Sequence, residues 1–181
     1  MRNKQNIGIL LAAALLLLLL PLRWLTSALI AALIHEFGHY CATRLTGGSI
    51  HCLRFGLNGA VMEASGLDVR SELISLLAGP IAGLFPLLTL RMFPSVAICG
   101  VVQSIYNLFP IYPLDGGRIL YRIIQLKGGT ERCFHIIEYS FLFFLTLLCV
   151  FIHLRLQISL FLFLVPLLFR KTPCKRKKDW I

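Results

Sequence analysis

Long apolar stretches separated by short groups of charged residues recur along the whole chain. A membrane-spanning helix needs about 20 predominantly apolar residues, with about 17 as a lower limit. The pattern therefore predicts an all-α polytopic membrane protein with about six transmembrane helices. The predicted spans, of which the fourth is long and interrupted, are Ile7–Leu22, Trp24–Leu45, Leu73–Leu90, Ser95–Leu126, Phe134–His153 and Leu156–Phe169.

A hairpin signal lies between the second and third predicted spans. Asn58 and Gly59 are flanked by the short apolar runs 55–57 and 60–62, a strong signal for a two-residue β-turn. We therefore expect a small β-hairpin at the membrane surface. An exposed strand edge there could receive an extended substrate by strand addition, and a simple capping loop is the equal alternative.

Composition supports a membrane protein of one domain. Of the 181 residues, 57% are hydrophobic and 14% are charged, whereas soluble domains average about 25% charged residues. No long polar linker or low-complexity segment divides the chain. We expect a domain over residues 1–170 and a basic cytoplasmic tail over residues 171–181.

The net charge of +10 fits membrane topology better than nucleic-acid binding. With both termini in the cytoplasm, the predicted outer turns hold only Arg23, Arg91 and Arg155. The inner segments hold Arg2, Lys4, Arg44, Arg54, Arg70, Lys127, Arg132 and the basic tail. This asymmetry follows the positive-inside rule. The tail is expected to contact anionic lipid of the bilayer, and no nucleic-acid partner is predicted.

The N-terminus also fits a signal peptide, with a basic start and a long apolar run. Cleavage near Ser27 would leave too few residues before His35 for the second helix to span. An uncleaved first span is therefore the preferred interpretation.

The second predicted span carries the sequence His35-Glu36-Phe37-Gly38-His39, an H-E-x-x-H motif. Positions i and i+4 of a helix share a face, so both imidazoles can reach one metal ion. Glu36 can then act as a base toward the attacking water without filling a coordination position. Ionisable groups near a bilayer centre cost about 2.5–3.5 kcal/mol each on insertion scales, so chance is a weak explanation here.

A third ligand is expected where the fourth span is interrupted. Asp115 follows Pro110 and Pro113 and precedes Gly116 and Gly117. Prolines break a helix, and irregular backbone at membrane depth is tolerated only where protein or a water-filled cavity surrounds it. The carboxylate could turn inward to the metal, cap the helix that resumes near Arg118, or do both.

Three motifs together resemble the site-two protease family of intramembrane zinc metalloproteases. They are "HEFGH" in one span, "AGP" at Ala78–Pro80 opening the next, and "NLFPIYPLDGG" in the following one. The resemblance implies Zn²⁺ bound by His35, His39 and Asp115, with Glu36 as the catalytic base. It further implies a substrate-binding role for Asn107, which could instead bridge helices.

The sporulation branch of that family is the most similar, through the short six-span body and the segment "FGLNGAVMEA". The resemblance implies a bacterial cell-membrane enzyme that cuts a membrane-tethered substrate, a pro-sigma factor, near the cytoplasmic leaflet. Regulatory membrane partners are also implied. That branch carries a nucleotide-sensing domain after its last span, whereas here only the basic tail follows, so the resemblance leaves nucleotide regulation open.

Two other functions use the same polar residues. A metal-ion transporter would also place His and Asp inside spans, but along a pathway and with no need for Glu36. A catalytically inactive protein could retain substrates without cutting them, although Glu36 is intact.

Overall fold

The computed structural model describes residues 21–56 and 59–156, in which helices predominate. The elements are α1 (Leu22–Leu45), β1 (Ser49–Gly56), β2 (Gly59–Ser65), α2 (Val69–Ala82), a 3-10 helix (Phe85–Thr89), α3 (Pro94–Asn107), α4 (Asp115–Leu126) and α5 (Glu131–Leu156). They form two compact units that divide after Asn107.

In the first unit, α1 packs against α2 and α3 through small side chains. Ala31 of α1 and Ala97 of α3 are fully buried, and the Ser27 hydroxyl donates to Ser95 Oγ at 2.8 Å. Large apolar side chains point outward instead, including Leu33 of α1, which is 62% exposed. Small residues inside and large apolar residues outside are typical of helices packed in lipid.

A two-stranded antiparallel sheet connects α1 and α2. Gly56 pairs with Gly59, and a register shift lies between Ile50 and Cys52. The predicted turn at Asn58-Gly59 falls partly on residues 57–58, outside the described residues. Its position at a membrane surface stays a prediction.

The second unit consists of the segment after Asn107 with α4 and α5. Phe134 of α5 is fully buried and meets the Tyr121 ring edge-on, with 5.4 Å between ring centroids. The rings of Phe109 and Phe141 are tilted by 60° to each other, with 5.3 Å between their centroids. These aromatic contacts hold the loop and α4 against α5.

The span predictions agree with the helices in part. The segments Val69–Thr89 and Glu131–Arg155 are long and apolar enough to cross a membrane by length and composition. The predicted interruption of the fourth span is present, since α3 ends at Asn107 and α4 begins at Asp115. The first and last predicted spans lie largely outside the described residues, so six spans remain a prediction.

One expectation about the third span was wrong. Ala78–Pro80 does not open this helix but lies near its end, because α2 already begins at Val69. Asp68 is the N-cap and accepts a hydrogen bond from the Ser71 backbone N–H at 3.2 Å. Asp at this position satisfies a free helix donor, a start signal that the apolar pattern alone did not register.

Candidate metal centre

The two histidines of α1 converge on one buried point. His35 is 2% exposed and His39 is 9% exposed, and their Nε2 atoms lie 3.1 Å apart. Two nitrogens bound to one tetrahedral zinc at about 2.0–2.1 Å would be separated by about 3.3 Å. The observed separation therefore fits two ligands of a single ion.

His39 is held in the form that binds metal. Its Nδ1 lies 2.7 Å from the Ser75 carbonyl oxygen in α2. When Nδ1–H donates to this oxygen, neutral His39 carries its lone pair on Nε2. The Ser75 hydroxyl in turn lies 2.6 Å from the Thr43 hydroxyl, one turn further along α1. These contacts fix the orientation of the ring.

Two glycines allow α1 and α2 to approach each other at this point. A Cβ at Gly79 would overlap the His39 ring. A Cβ at Gly38 would lie 2.5 Å from both the Ala78 carbonyl oxygen and the Ala82 Cβ. A G-x-x-x-G spacing such as Gly79 to Gly83 permits close helix packing. The close approach of α1 and α2 occurs at Gly38 and Gly79, while Gly83 faces Ser104 of α3.

The other predicted residues of the first unit lie beside the histidines. Asn107, the last residue of α3, places Nδ2 at 3.3 Å from His35 Nε2. Glu36 is half-buried on α1. The structure thus brings an amide to the histidine pair, and Glu36 follows His35 directly in the helix.

In the second unit, Asp115 is buried at the start of α4. It is the first residue of the helix, and Leu114 is the N-cap, so the helix resumes at Asp115 and not at Arg118. A Cβ at Gly116 would overlap the Leu108 carbonyl, and one at Gly117 would overlap the backbone of Ile111. The two glycines therefore let the preceding loop fold directly onto the first turn that carries Asp115.

The three predicted ligands are two imidazoles in the first unit and one carboxylate in the second. His35, His39 and Asp115 are all buried. Two imidazoles and one carboxylate form a donor set that zinc accepts, and three protein ligands leave a fourth position open. The chemistry of this donor set therefore fits a catalytic zinc site.

The sequence analysis did not identify two residues, one that contacts His39 and one that contacts the loop before Asp115. Ser75 contributes a backbone carbonyl, which residue type does not reveal. Glu138 of α5 is 1% exposed and accepts a hydrogen bond from the Tyr112 backbone N–H at 2.9 Å. An acidic residue within the predicted span Phe134–His153 was the available signal for it.

Comparison with known proteins finds a similar sequence and a similar fold. The chain is 29% identical to stage IV sporulation protein FB of Bacillus subtilis over 178 residues, which is 88% of this chain. It spans 62% of that relative's length. No protein-family model matches the chain.

The fold matches a solved structure, the site-2 protease from Methanocaldococcus jannaschii. The TM-score is 0.64, with 20% sequence identity, and the match covers 90% of this chain and 82% of the other. At this identity the likeness establishes the fold. The similarity in sequence to a sporulation protein and in fold to a site-2 protease supports the family that the motifs indicated.

Proposed function

We propose that this protein is an intramembrane zinc metalloprotease that cuts a membrane-tethered protein substrate near the cytoplasmic leaflet. The observation that carries the proposal is the buried histidine pair of α1, with 3.1 Å between the two Nε2 atoms. A buried polar pair on an otherwise apolar helix is costly unless it binds something. A metal ion satisfies both lone pairs at once.

In this proposal His35, His39 and Asp115 hold the zinc. The Ser75 carbonyl orients His39, as outer partners of metal-bound histidines commonly do. When bound, zinc would polarise the scissile carbonyl and lower the pKa of a coordinated water to about 7.

Glu36 is proposed as the general base. One residue along a helix corresponds to a rotation of about 100°, so its carboxylate lies beside the face that His35 and His39 share. From that position Glu36 can accept a proton from the attacking water and later donate it to the leaving amine. Its half-buried position leaves it room to face substrate.

Asn107 is proposed to orient the substrate. Its amide lies at the same nitrogen of His35 that faces His39. An amide group at that place can donate to the carbonyl of an extended peptide and accept from a peptide N–H. A substrate peptide would exchange the amide's contact with His35 for these bonds.

The proposed substrate is the membrane-associated precursor of a sigma factor. Homology to a sporulation protein supports this choice. The proposed topology places both termini in the cytoplasm of a bacterial cell. A reporter fused after Ile181 should be active on the cytoplasmic side, and activity on the outer side alone would overturn that topology.

Co-expression with candidate membrane-bound precursors tests the function. Wild type should release a shortened product, and Glu36→Gln should leave the precursor intact while accumulating to the same level. The exposed Glu131→Gln is the control, because it removes a carboxylate away from the site. Equal cleavage by wild type and Glu36→Gln would contradict the proposal.

A further inference from the structure

Glu138 is a buried acid that the proposed chemistry does not use. It lies two turns into α5, whose segment Glu131–Arg155 is long and apolar enough to cross a membrane. Its side chain is 1% exposed. An acidic residue buried in such a helix is costly unless polar partners satisfy it, and residues of this kind commonly serve a function.

Both oxygens of Glu138 have partners within the second unit. Oε1 accepts a hydrogen bond from the Tyr112 backbone N–H at 2.9 Å. Oε2 lies 3.2 Å from His135 Nδ1, one turn earlier on the same helix. The partner of Oε1 is 26 residues away in sequence, so this bond ties the loop to α5.

The tied loop leads directly to Asp115. Tyr112 precedes it by three residues, and the Leu114 N–H donates to the Ile111 carbonyl at 2.9 Å. A Cβ at Gly117 would overlap backbone atoms of Ile111 and Tyr112, so the loop lies in direct contact with the first turn of α4. Ile111 itself is fully buried. A displacement of Tyr112 would therefore move the start of the helix that carries Asp115.

We propose that Glu138 is a positioning residue for the metal ligand Asp115, acting through its hydrogen bond to the Tyr112 N–H. This rests on the proposed zinc site. To hold the loop, residue 138 must place an oxygen acceptor beside the Tyr112 N–H, which requires a side chain as long as that of glutamate. Outer partners of metal ligands commonly change metal affinity by about 10- to 100-fold when they are removed.

Two substitutions of Glu138 distinguish the effect of side-chain length from the effect of charge. Glu138→Gln keeps the chain length and an oxygen acceptor but removes the charge. Glu138→Asp keeps the charge but is one methylene shorter, which draws the acceptor away from Tyr112. Zn²⁺ affinity, measured on purified protein in detergent by competition with a chromophoric chelator, should fall about 10- to 100-fold in Glu138→Asp and stay near wild type in Glu138→Gln.

Hydrogen exchange provides a second readout that needs no metal. The peptide containing Tyr112 should exchange faster in apo Glu138→Asp than in apo wild type or apo Glu138→Gln, while peptides of α1 and α2 keep their protection. The control is Glu131→Asp, the same change at an exposed position in the first turn of α5.

The two proposals fail in different ways. Absence of zinc binding in wild type would overturn the metal site, and the exchange measurement alone would then decide whether Glu138 holds the loop. Wild-type exchange and affinity in Glu138→Asp would overturn the positioning role, as would an equal loss in Glu138→Gln and Glu138→Asp.

Discussion

Polar groups are buried in both units of this protein, but they are brought into place differently. In α1, His35 and His39 lie one turn apart, so the helix itself brings their rings together. In the second unit, Asp115 stands at a helix start, and the loop before it is tied to Glu138 by a bond across 26 residues. One arrangement is local and the other depends on tertiary contacts.

Because of this difference, some substitutions should remove a reactive group without moving its neighbours, and others should displace a side chain that is itself unchanged. In α1, the backbone spacing survives when one side chain is changed. In the loop before α4, the position of the proposed ligand Asp115 depends on contacts of Tyr112, Gly116 and Gly117. In α1, a substitution should therefore affect only the role of the substituted side chain. In the second unit, substitutions at several residues should all affect the position of Asp115.

The largest effect is expected from Glu36→Gln. The amide keeps the size of the side chain but cannot accept a proton, so cleavage should fall by about 10²-fold or more. The measurement is the cleavage rate of a membrane-tethered precursor by purified protein. Uncut precursor should copurify with the variant. A rate near that of wild type would rule out Glu36 as the base.

Asp115→Asn should weaken zinc binding strongly, because a neutral amide replaces an anionic ligand. The matched control is Asp68→Asn, at an exposed helix start where Asn also caps well. Hydrogen bonds from the Ser71 side chain and backbone lower the pKa of Asp68, because they stabilise its ionised form. Zinc content per chain is the measurement, and full occupancy in Asp115→Asn would exclude it as a ligand.

Gly79→Ala should disturb the metal site through packing alone. The added methyl group would overlap the His39 ring, and such overpacking typically costs about 1–3 kcal/mol. The control is Gly83→Ala at the C-cap of the same helix, where the methyl group would overlap the Ser104 hydroxyl instead. The midpoint temperature of thermal unfolding should fall in both variants, whereas zinc affinity should fall only in Gly79→Ala. A similar loss of affinity in both would mean that general destabilisation is the cause.

The smallest effect is expected from Thr43→Val. It removes the 2.6 Å hydrogen bond to the Ser75 hydroxyl, worth about 1 kcal/mol of folding stability. The Ser75 carbonyl that holds His39 stays in place, so zinc affinity should change little. A loss of affinity as large as that of Gly79→Ala would show that the hydroxyl pair positions His39.

Local sequence patterns predicted the parts of the structure that depend on local spacing. The helix around the H-E-x-x-H motif was expected over Trp24–Leu45 and is found over Leu22–Leu45. The prolines and glycines around Asp115 correctly indicated a helix break. Both patterns follow from backbone geometry alone, which a single sequence contains.

Features set by contacts between distant residues were not predictable in this way. The role of the Ser75 carbonyl depends on the position of α2, and any residue type offers the same atom. The 3-10 helix Phe85–Thr89, with Pro86 buried, follows α2 within a segment that the sequence shows as one continuous apolar run. Apolar composition alone does not distinguish a 3-10 helix from a continued α-helix. Glu138 was visible as an acid in an apolar run, but its partner was not.

The most direct test of the central claim is the zinc content of three purified proteins measured side by side: wild type, His35→Ala and Glu36→Gln. Wild type and Glu36→Gln should each hold one zinc per chain, since Glu36 is proposed as a base and not as a ligand, and His35→Ala should hold none. Equal loss of zinc from the two variants, or full zinc in His35→Ala, would contradict the proposed site.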